Sequence, residues 1–455
     1  MSKEMKKCYY NFLLFDGLRD ELQTGKTILI DADKITGVEN EAARNQYPKY
    51  DFIDLKGLTL LPGLIDAHVH ITVPLIFRNN EAAFEQMHDQ VKLNFDNCIK
   101  YGITTIRDVG AFPERILEWR NRVEAGKAVG PRILTTLSFI TSLDGVPEAV
   151  PTFDNNEVQV MGGQFVERMD NPERMRQVAN NLVDRGADWL KTQYTERSFN
   201  FSGNLSNLSD ECFSILMEVS RERGVRVAMH QMERVGFQKG VQVGVHTLEH
   251  CALDDLDPVE VDQFVQQEMA IIPTLKVTGD YLEIESMLEW FNGEAKSEFM
   301  PEPLSQLKDA AKLLLTKPYP PAKVKRKYYL DLEYFQRGFT RALKNIERIH
   351  QAGGKIGLGT DTCGSTLSFF PFYWKELWHL TQAGLSNFEA LKAATSLNAE
   401  IIGLGEQVGS IEPGKFADFI VIKGNPLKNI EELKNIRMVV KGGETLVDKQ
   451  EARCL

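Results

Sequence analysis

Four histidines, a lysine and an aspartate stand where short apolar runs of this chain end. His68 and His70 close the run Leu61-Pro62-Gly63-Leu64-Ile65-Asp66-Ala67-His68-Val69-His70. Side chains alternate faces along a strand, so two histidines two residues apart point the same way and make half of a first-row metal site. Such a pair alone is commonly just two polar residues at a strand end. Here Lys191, His230, His250 and Asp361 also end apolar runs, so half of the eight histidines occupy equivalent places. Imidazole and carboxylate donors suit divalent cations. Lys191 is the odd member, because an ammonium repels a cation and is costly to bury. Either its stem packs under a rim with the charge reaching outward, or its amine is carbamylated by carbon dioxide into an anion able to bridge two metal ions.

The elements that must position these groups follow from periodicity. Short apolar runs at 63–71, 104–109, 132–137, 189–194, 225–230, 246–251, 270–275 and 355–361 predict eight strands. Amphipathic stretches such as 172–185, 209–223 and 387–402 predict helices between them, the last two opening with Ser or Asn caps before acidic first turns. Strand and helix in alternation predict an α/β fold, a (β/α)8 TIM barrel over residues 63–405, with catalytic groups at the C-terminal ends of the strands. Both ends of the chain differ from this middle. Alternating β-branched and apolar residues at 26–39 and 52–61, and again at 417–422 and 436–443, predict antiparallel strands. Residues 1–62 and 406–455 are therefore expected to form one small composite β-sandwich domain.

Composition narrows the partners. A formal net charge of -11 argues against nucleic acid and anionic membranes, which reward concentrated positive charge, and favours a small-molecule substrate. The cysteines at 8, 98, 212, 251, 363 and 454 form neither a zinc-knuckle pair nor a disulfide framework. With no signal peptide or membrane span legible, a cytoplasmic location is expected.

The chain resembles the amidohydrolase superfamily. The resemblance is carried by the His68-Val69-His70 run, Gly102-Ile103-Thr104-Thr105-Ile106-Arg107-Asp108, Gly186-Ala187-Asp188-Trp189-Leu190-Lys191, Gly244-Val245-His246-Thr247-Leu248-Glu249-His250 and Gly359-Thr360-Asp361, with Gly409 to Asp418 similar to the return from barrel to sandwich. It is nearest to the imidazolonepropionase-related and prolidase-like carboxypeptidase branch. This resemblance implies two divalent ions, usually zinc. His68, His70 and Asp361 would hold one ion, His230 and His250 the other, and carbamylated Lys191 (carboxylysine) would lie between them. A hydroxide bridging the ions is then available near neutral pH, and Asp361 accepts its proton and returns it to the leaving group. The expected substrate carries an amide, peptide or ester bond and an apolar portion, as a dipeptide or N-acyl amino acid does. His230-Gln231-Met232, Cys251 and Thr362 to Ser368 depart from that branch, and the departures bear on substrate choice.

Glu233 follows His230 by three residues, a spacing similar to the His-x-x-Glu of mononuclear deaminase-like hydrolases of ring C–N bonds, which is the alternative. Tyr194, Arg197, Arg234 and His246 lie near strand ends as candidate substrate contacts. The aromatic stretch Phe369-Phe370-Pro371-Phe372-Tyr373-Trp374 and an insertion from Lys276 to about Leu330 carrying Tyr281, Trp290, Phe291, Phe299, Tyr319, Tyr328 and Tyr329 form either an apolar lid or an interface between copies in a homo-oligomer.

Overall fold

A computed structural model describes residues 6–73, 81–146, 163–197, 205–283, 332–362 and 372–449. The N-terminal strands are β1 (Lys7–Tyr10), β2 (Leu13–Leu14), β3 (Lys26–Asp31), β4 (Lys34–Asn40), β5 (Asp51–Asp54) and β6 (Thr59–Pro62). The middle of the chain supplies β7 (Leu64–Val69), β8 (Ile103–Asp108), β9 (Arg132–Thr135), β10 (Phe139–Thr141), β11 (Val166–Arg168), β12 (Trp189–Gln193), β13 (Arg226–His230), β14 (Thr247–Glu249), β15 (Ala270–Ile272) and β16 (Lys355–Ile356). The C-terminal strands are β17 (Phe419–Ile422), β18 (Ile436–Lys441) and β19 (Glu444–Asp448).

Strands β7, β8 and β9 form one parallel sheet, and β11-β10-β12-β13-β14-β15-β16 form a second. Backbone hydrogen bonds join the two at both edges. Asp188 N–H donates to Thr135 O, and on the other side Ala67 N–H donates to Leu358 O and Asp361 N–H to His68 O. The run expected at 355–361 thus makes a ladder over two residues only, then continues extended along β7. Helices pack on these sheets through apolar faces. Ser209 caps Asp210–Arg223 by accepting from Cys212 N–H, and Ser386 with Glu389 forms a reciprocal capping box on Asn387–Ala393.

Three differences from expectation have local causes. The strand expected at 132–137 stops at Thr135 and a further strand follows at Phe139–Thr141, because Leu137 takes a left-handed φ of 56° that turns the chain away from β8 toward β12. Strand β11 had too short a pattern to be foreseen. The helix expected at 387–402 is broken into Asn387–Ala393 and Ser396–Ile402, since Thr395 leaves helical geometry and its hydroxyl donates to Leu391 O.

Both ends of the chain meet in one sheet, ordered β19-β18-β17-β6-β2, facing a second ordered β4-β3-β1-β5. Tyr9, Ile28, Ile30, Leu60, Phe419, Val421 and Val440 are among the buried residues between them. Strand β6 pairs antiparallel with β17 and passes through Gly63 directly into β7. Among the described residues, no helix is long and apolar enough to cross a membrane.

Candidate metal centre

Parallel register brings the chemistry together. Gln193 is beside His230, and His230 is beside Glu249, so the ends of β12, β13 and β14 lie level. Across from them, His68 and His70 end β7. The rings form a chain, with centroids 5.4 Å apart for His68 and His70, 4.8 Å for His68 and His250, and 4.4 Å for His230 and His250. His68 Nε2 and His70 Nε2 lie 3.5 and 3.4 Å from the same oxygen, Asp361 Oδ1. Ligand atoms of His68, His70 and Asp361 all fall within 4.8 Å of one another.

Three of the four rings are held from behind. His68 Nδ1 is 2.7 Å from Glu249 Oε2, His70 Nδ1 is 2.9 Å from Gly110 O, and His250 Nδ1 is 2.6 Å from Thr274 Oγ1. The backbone is strained to achieve this. His250, Thr274 and Asp361 adopt left-handed φ values of 69°, 46° and 54°, uncommon for residues with a Cβ and concentrated here at strand ends. Asp108 accepts from Gly110 N–H and Ile71 N–H, fixing the loop whose carbonyl holds His70. Asp66 accepts from His68 N–H, Thr360 N–H and the Thr360 hydroxyl, tying β7 to the segment that carries Asp361.

Burial sets the charge states. It pushes His68, His230 and His250 well below the usual imidazole range and His70 to about 4, so all four are neutral and carry a lone pair. Burial lifts Asp361 to about 7 and lowers Lys191 to about 8, with Glu249 opposing the latter by its negative charge. Lys191 is fully buried, its Nζ 5.6 Å from the Phe139 ring centroid. Lys191 Nζ, His68 Nε2, His230 Nε2 and Asp361 Oδ1 are buried polar atoms with no hydrogen-bond partner. Such atoms are costly unless something satisfies them. Neutral imidazoles and a carboxylate oxygen converging on one space are satisfied by a cation, so this donor set fits divalent metal binding.

The six residues expected as ligands thus come to one region, but the four expected substrate contacts divide. His246 precedes β14, at the end remote from His250. Its Nδ1 accepts from Val227 N–H and its ring lies against Trp189, so it is corrected to a residue of the opposite face. Tyr194 is corrected too. Strand alternation sends it away from Lys191 and Gln193, and its ring packs on Phe213 of an outer helix. Arg234 is committed by Nε to both oxygens of Glu260, at 2.8 and 3.0 Å. Arg197 stays at the strand ends, 3.5 Å from Glu233 and over the Tyr334 ring. Glu233 accepts from the Thr195 hydroxyl and from the Glu196 and Arg197 N–H groups, holding the loop after β12.

Of the aromatic segments, Tyr281 is buried and stacks on Phe335, the Tyr373 hydroxyl donates to Ile65 O, and Trp374 packs beneath Lys434. These three pack into the body. Phe369, Phe370, Trp290, Phe291, Phe299, Tyr319, Tyr328 and Tyr329, with Cys363 to Ser368, lie outside the described residues. Sequence reasoning missed Glu249, Arg107, Asp66 and Asp108 as supports. The signal was present for Glu249, which shares a strand face with Thr247 and adjoins His250.

Residues 59–446 match the model of the amidohydrolase family. A 5-methylthioadenosine/S-adenosylhomocysteine deaminase from Bacillus cereus is 23% identical over 449 residues, covering 92% of this chain and 85% of that protein. A crystal structure of a Xaa-Pro dipeptidase with bound methionine aligns with a TM-score of 0.75 and 24% identity over 97% of this chain and 100% of the other. A prolidase complexed with N-methylphosphonate-L-proline aligns with a TM-score of 0.74 and 20% identity over 98% and 100%. At these identities the structural likeness speaks for the fold alone.

Proposed function

The chain belongs to the amidohydrolase family and is a hydrolase acting on carbon–nitrogen bonds, and from that premise we propose that it cleaves the amide bond of a dipeptide or N-acyl amino acid. In this reading the parallel strands close into a (β/α)8 barrel spanning residues 63–405, and residues 1–62 with 406–455 form the outer β domain. His68, His70 and Asp361 would hold one divalent ion, His230 and His250 a second, with zinc the metal that suits imidazole-rich donors.

The observation that carries the proposal is Lys191, a fully buried amine with no partner among neutral imidazoles. A pKa of about 8 leaves a substantial neutral fraction at physiological pH. That amine adds to carbon dioxide, forming an N–C bond and releasing a proton, and the resulting carboxylate removes the unpaired cation. Bound divalent ions would lower the pKa of water and polarise the scissile carbonyl. The Asp361 carboxylate then takes the proton from the attacking water and delivers it to the leaving nitrogen. Glu249, Gly110 and Thr274 hold His68, His70 and His250 so that none reorganises during the reaction.

A second reading has the named relatives in its favour, deamination of a ring C–N bond with Glu233 moving the proton. Against it, three donors already occupy Glu233 Oε2. Zinc-reconstituted protein supplied with bicarbonate should be assayed on dipeptides, N-acyl amino acids, aryl esters and 5-methylthioadenosine, with metal content measured. Dipeptide or N-acyl amino acid turnover with nearly two ions per chain, both lost in Lys191→Ala, is expected. Exclusive deamination with one ion and an inactive Glu233→Gln variant would replace this proposal with the second.

A further inference from the structure

Beneath the histidines, Ala67, His68, Arg107, Thr247 and Glu249, from three strands, are joined in one hydrogen-bonded ring. Arg107 on β8 and Glu249 on β14 are each fully buried. Arg107 Nη2 donates to Glu249 Oε1 at 2.7 Å, Arg107 Nη1 donates to Thr247 Oγ1 at 3.2 Å, and the Thr247 hydroxyl donates to Glu249 Oε1 at 2.5 Å. Arg107 Nε donates to Ala67 O at 2.7 Å, the carbonyl of the peptide unit that leads into His68. The guanidinium lies 4.5 Å from the centre of a Trp189 ring. One side chain thereby grips both the backbone that carries His68 and the carboxylate that touches its ring.

Counting donors decides where the His68 proton sits. Guanidinium has only donors, and the single Thr247 proton is spent on Glu249 Oε1. That oxygen receives two donors, and the fully buried Arg107 guanidinium against it requires an anionic partner, so Glu249 is a carboxylate whose other oxygen can only accept. Its partner, His68 Nδ1, must be the N–H, which leaves the lone pair on Nε2, facing Asp361 Oδ1 across 3.5 Å. Were the proton on Nε2 instead, a carboxylate and an imidazole lone pair would face each other at 2.7 Å with both side chains fully buried.

We propose that Glu249, fixed by Arg107 and Thr247, is the positioning residue that selects the His68 tautomer and so makes Nε2 the cation-binding atom. This rests on the reading above that His68 holds a divalent ion. A carboxylate behind an imidazole also raises its basicity as a ligand, and loss of such a partner commonly weakens metal affinity by about 10–100-fold.

The test uses the metal-free full chain labelled with 15N-histidine, the His68 signals being assigned by their loss in His68→Gln. Long-range proton–nitrogen correlation should find His68 protonated at Nδ1 in the wild type. In Glu249→Gln, Arg107 and Thr247 retain the amide oxygen and the NH2 group faces His68, so the proton should move to Nε2. Zinc affinity by chelator competition should then fall about 10–100-fold. An unchanged tautomer, or a tautomer change with unchanged zinc affinity, would overturn the proposal, and so would a lowered melting temperature as the only effect. Should the variant not fold, an Nε2-protonated His68 in the wild type overturns it and an Nδ1-protonated one supports it. A wild type that binds no zinc would sink the metal reading above, while the tautomer still judges Glu249.

Discussion

Lys191 is the residue whose environment makes the sharpest demand. Its ammonium is fully buried, and burial holds its pKa at about 8 against the ordinary 10.5. The unfolded chain therefore binds that proton more tightly than the folded one. The resulting destabilisation of the metal-free, uncarbamylated protein is complete below about pH 8 and vanishes as pH rises through about 10.5, with a size on the order of 3 kcal/mol. Metal-free Lys191→Met should accordingly melt above the metal-free wild type at pH 7, the gap narrowing toward pH 10. Equal melting temperatures across that range would mean the amine finds compensation in the folded chain. Carbamate formation needs the neutral amine, so the carbamate signal of protein in 13C-bicarbonate should rise through about pH 8 rather than near 10.5. Asp361 makes a different demand. Asn keeps its size and one donor oxygen but no basicity, so Asp361→Asn should retain most metal and lose about 10²–10⁴-fold in turnover. Near-normal turnover at normal metal content would remove Asp361 from proton transfer.

At the scale of elements, the site depends on how closely the segment after β16 lies against β7. Gly359 permits it. A Cβ there would meet His68 Cβ and Ile272 Cγ2, each at 2.5 Å, and His68 N at 2.9 Å. None of these can yield without moving β7 or β15, because His68 O is tied to Asp361 N–H and Ile272 O to His250 N–H. Gly359→Ala is expected to destabilise by about 1–3 kcal/mol, the usual effect of overpacking, and to lower zinc occupancy with it. Urea denaturation and metal analysis read both. A stable variant with full occupancy would contradict the tight approach. Gly63 has the same function one strand end earlier, since its Cβ would fall 2.1 Å from Thr104 Oγ1 on the neighbouring strand.

For the whole molecule, the two chain ends and the body that carries the candidate metal centre are mechanically one. Gly63 N–H, the residue between β6 and β7, donates to Asp418 O, and β17 pairs along the full length of β6. Arg132 on β9 reaches Asp418, and its guanidinium and the Lys34 amine both lie over the Phe416 ring. Removing residues 406–455 strips β6 of its partner and exposes Leu60, Leu61 and Ile103, all fully buried in the intact chain. A chain ending at residue 405 should therefore be recovered aggregated and without metal. Soluble, zinc-binding protein of that length would show that the body folds independently.

Much of this was legible from short stretches such as residues 63–71, and the physical reason is locality. The period of two along a strand places His68 and His70 on one face whatever the rest of the chain does, and turn and cap residues mark helix starts such as Ser209 and Ser386 from a few neighbours. Candidate ligand types at five strand ends, antiparallel strands at both termini and the alternating α/β middle follow from such short-range rules. Tertiary structure decided what depends on atoms far apart in sequence. Tyr194 and His246 stand near strand ends in the sequence, yet strand alternation and strand direction turn them away from the site. Glu233 has deaminase spacing, yet its carboxylate is taken up by a loop 36 residues earlier. Arg107 and Glu249 are 142 residues apart and read singly as ordinary charges. Only the buried interior in which they meet makes one the anchor of the other, because an unpaired charge is costly there and a hydrogen-bonded charge pair is much less so.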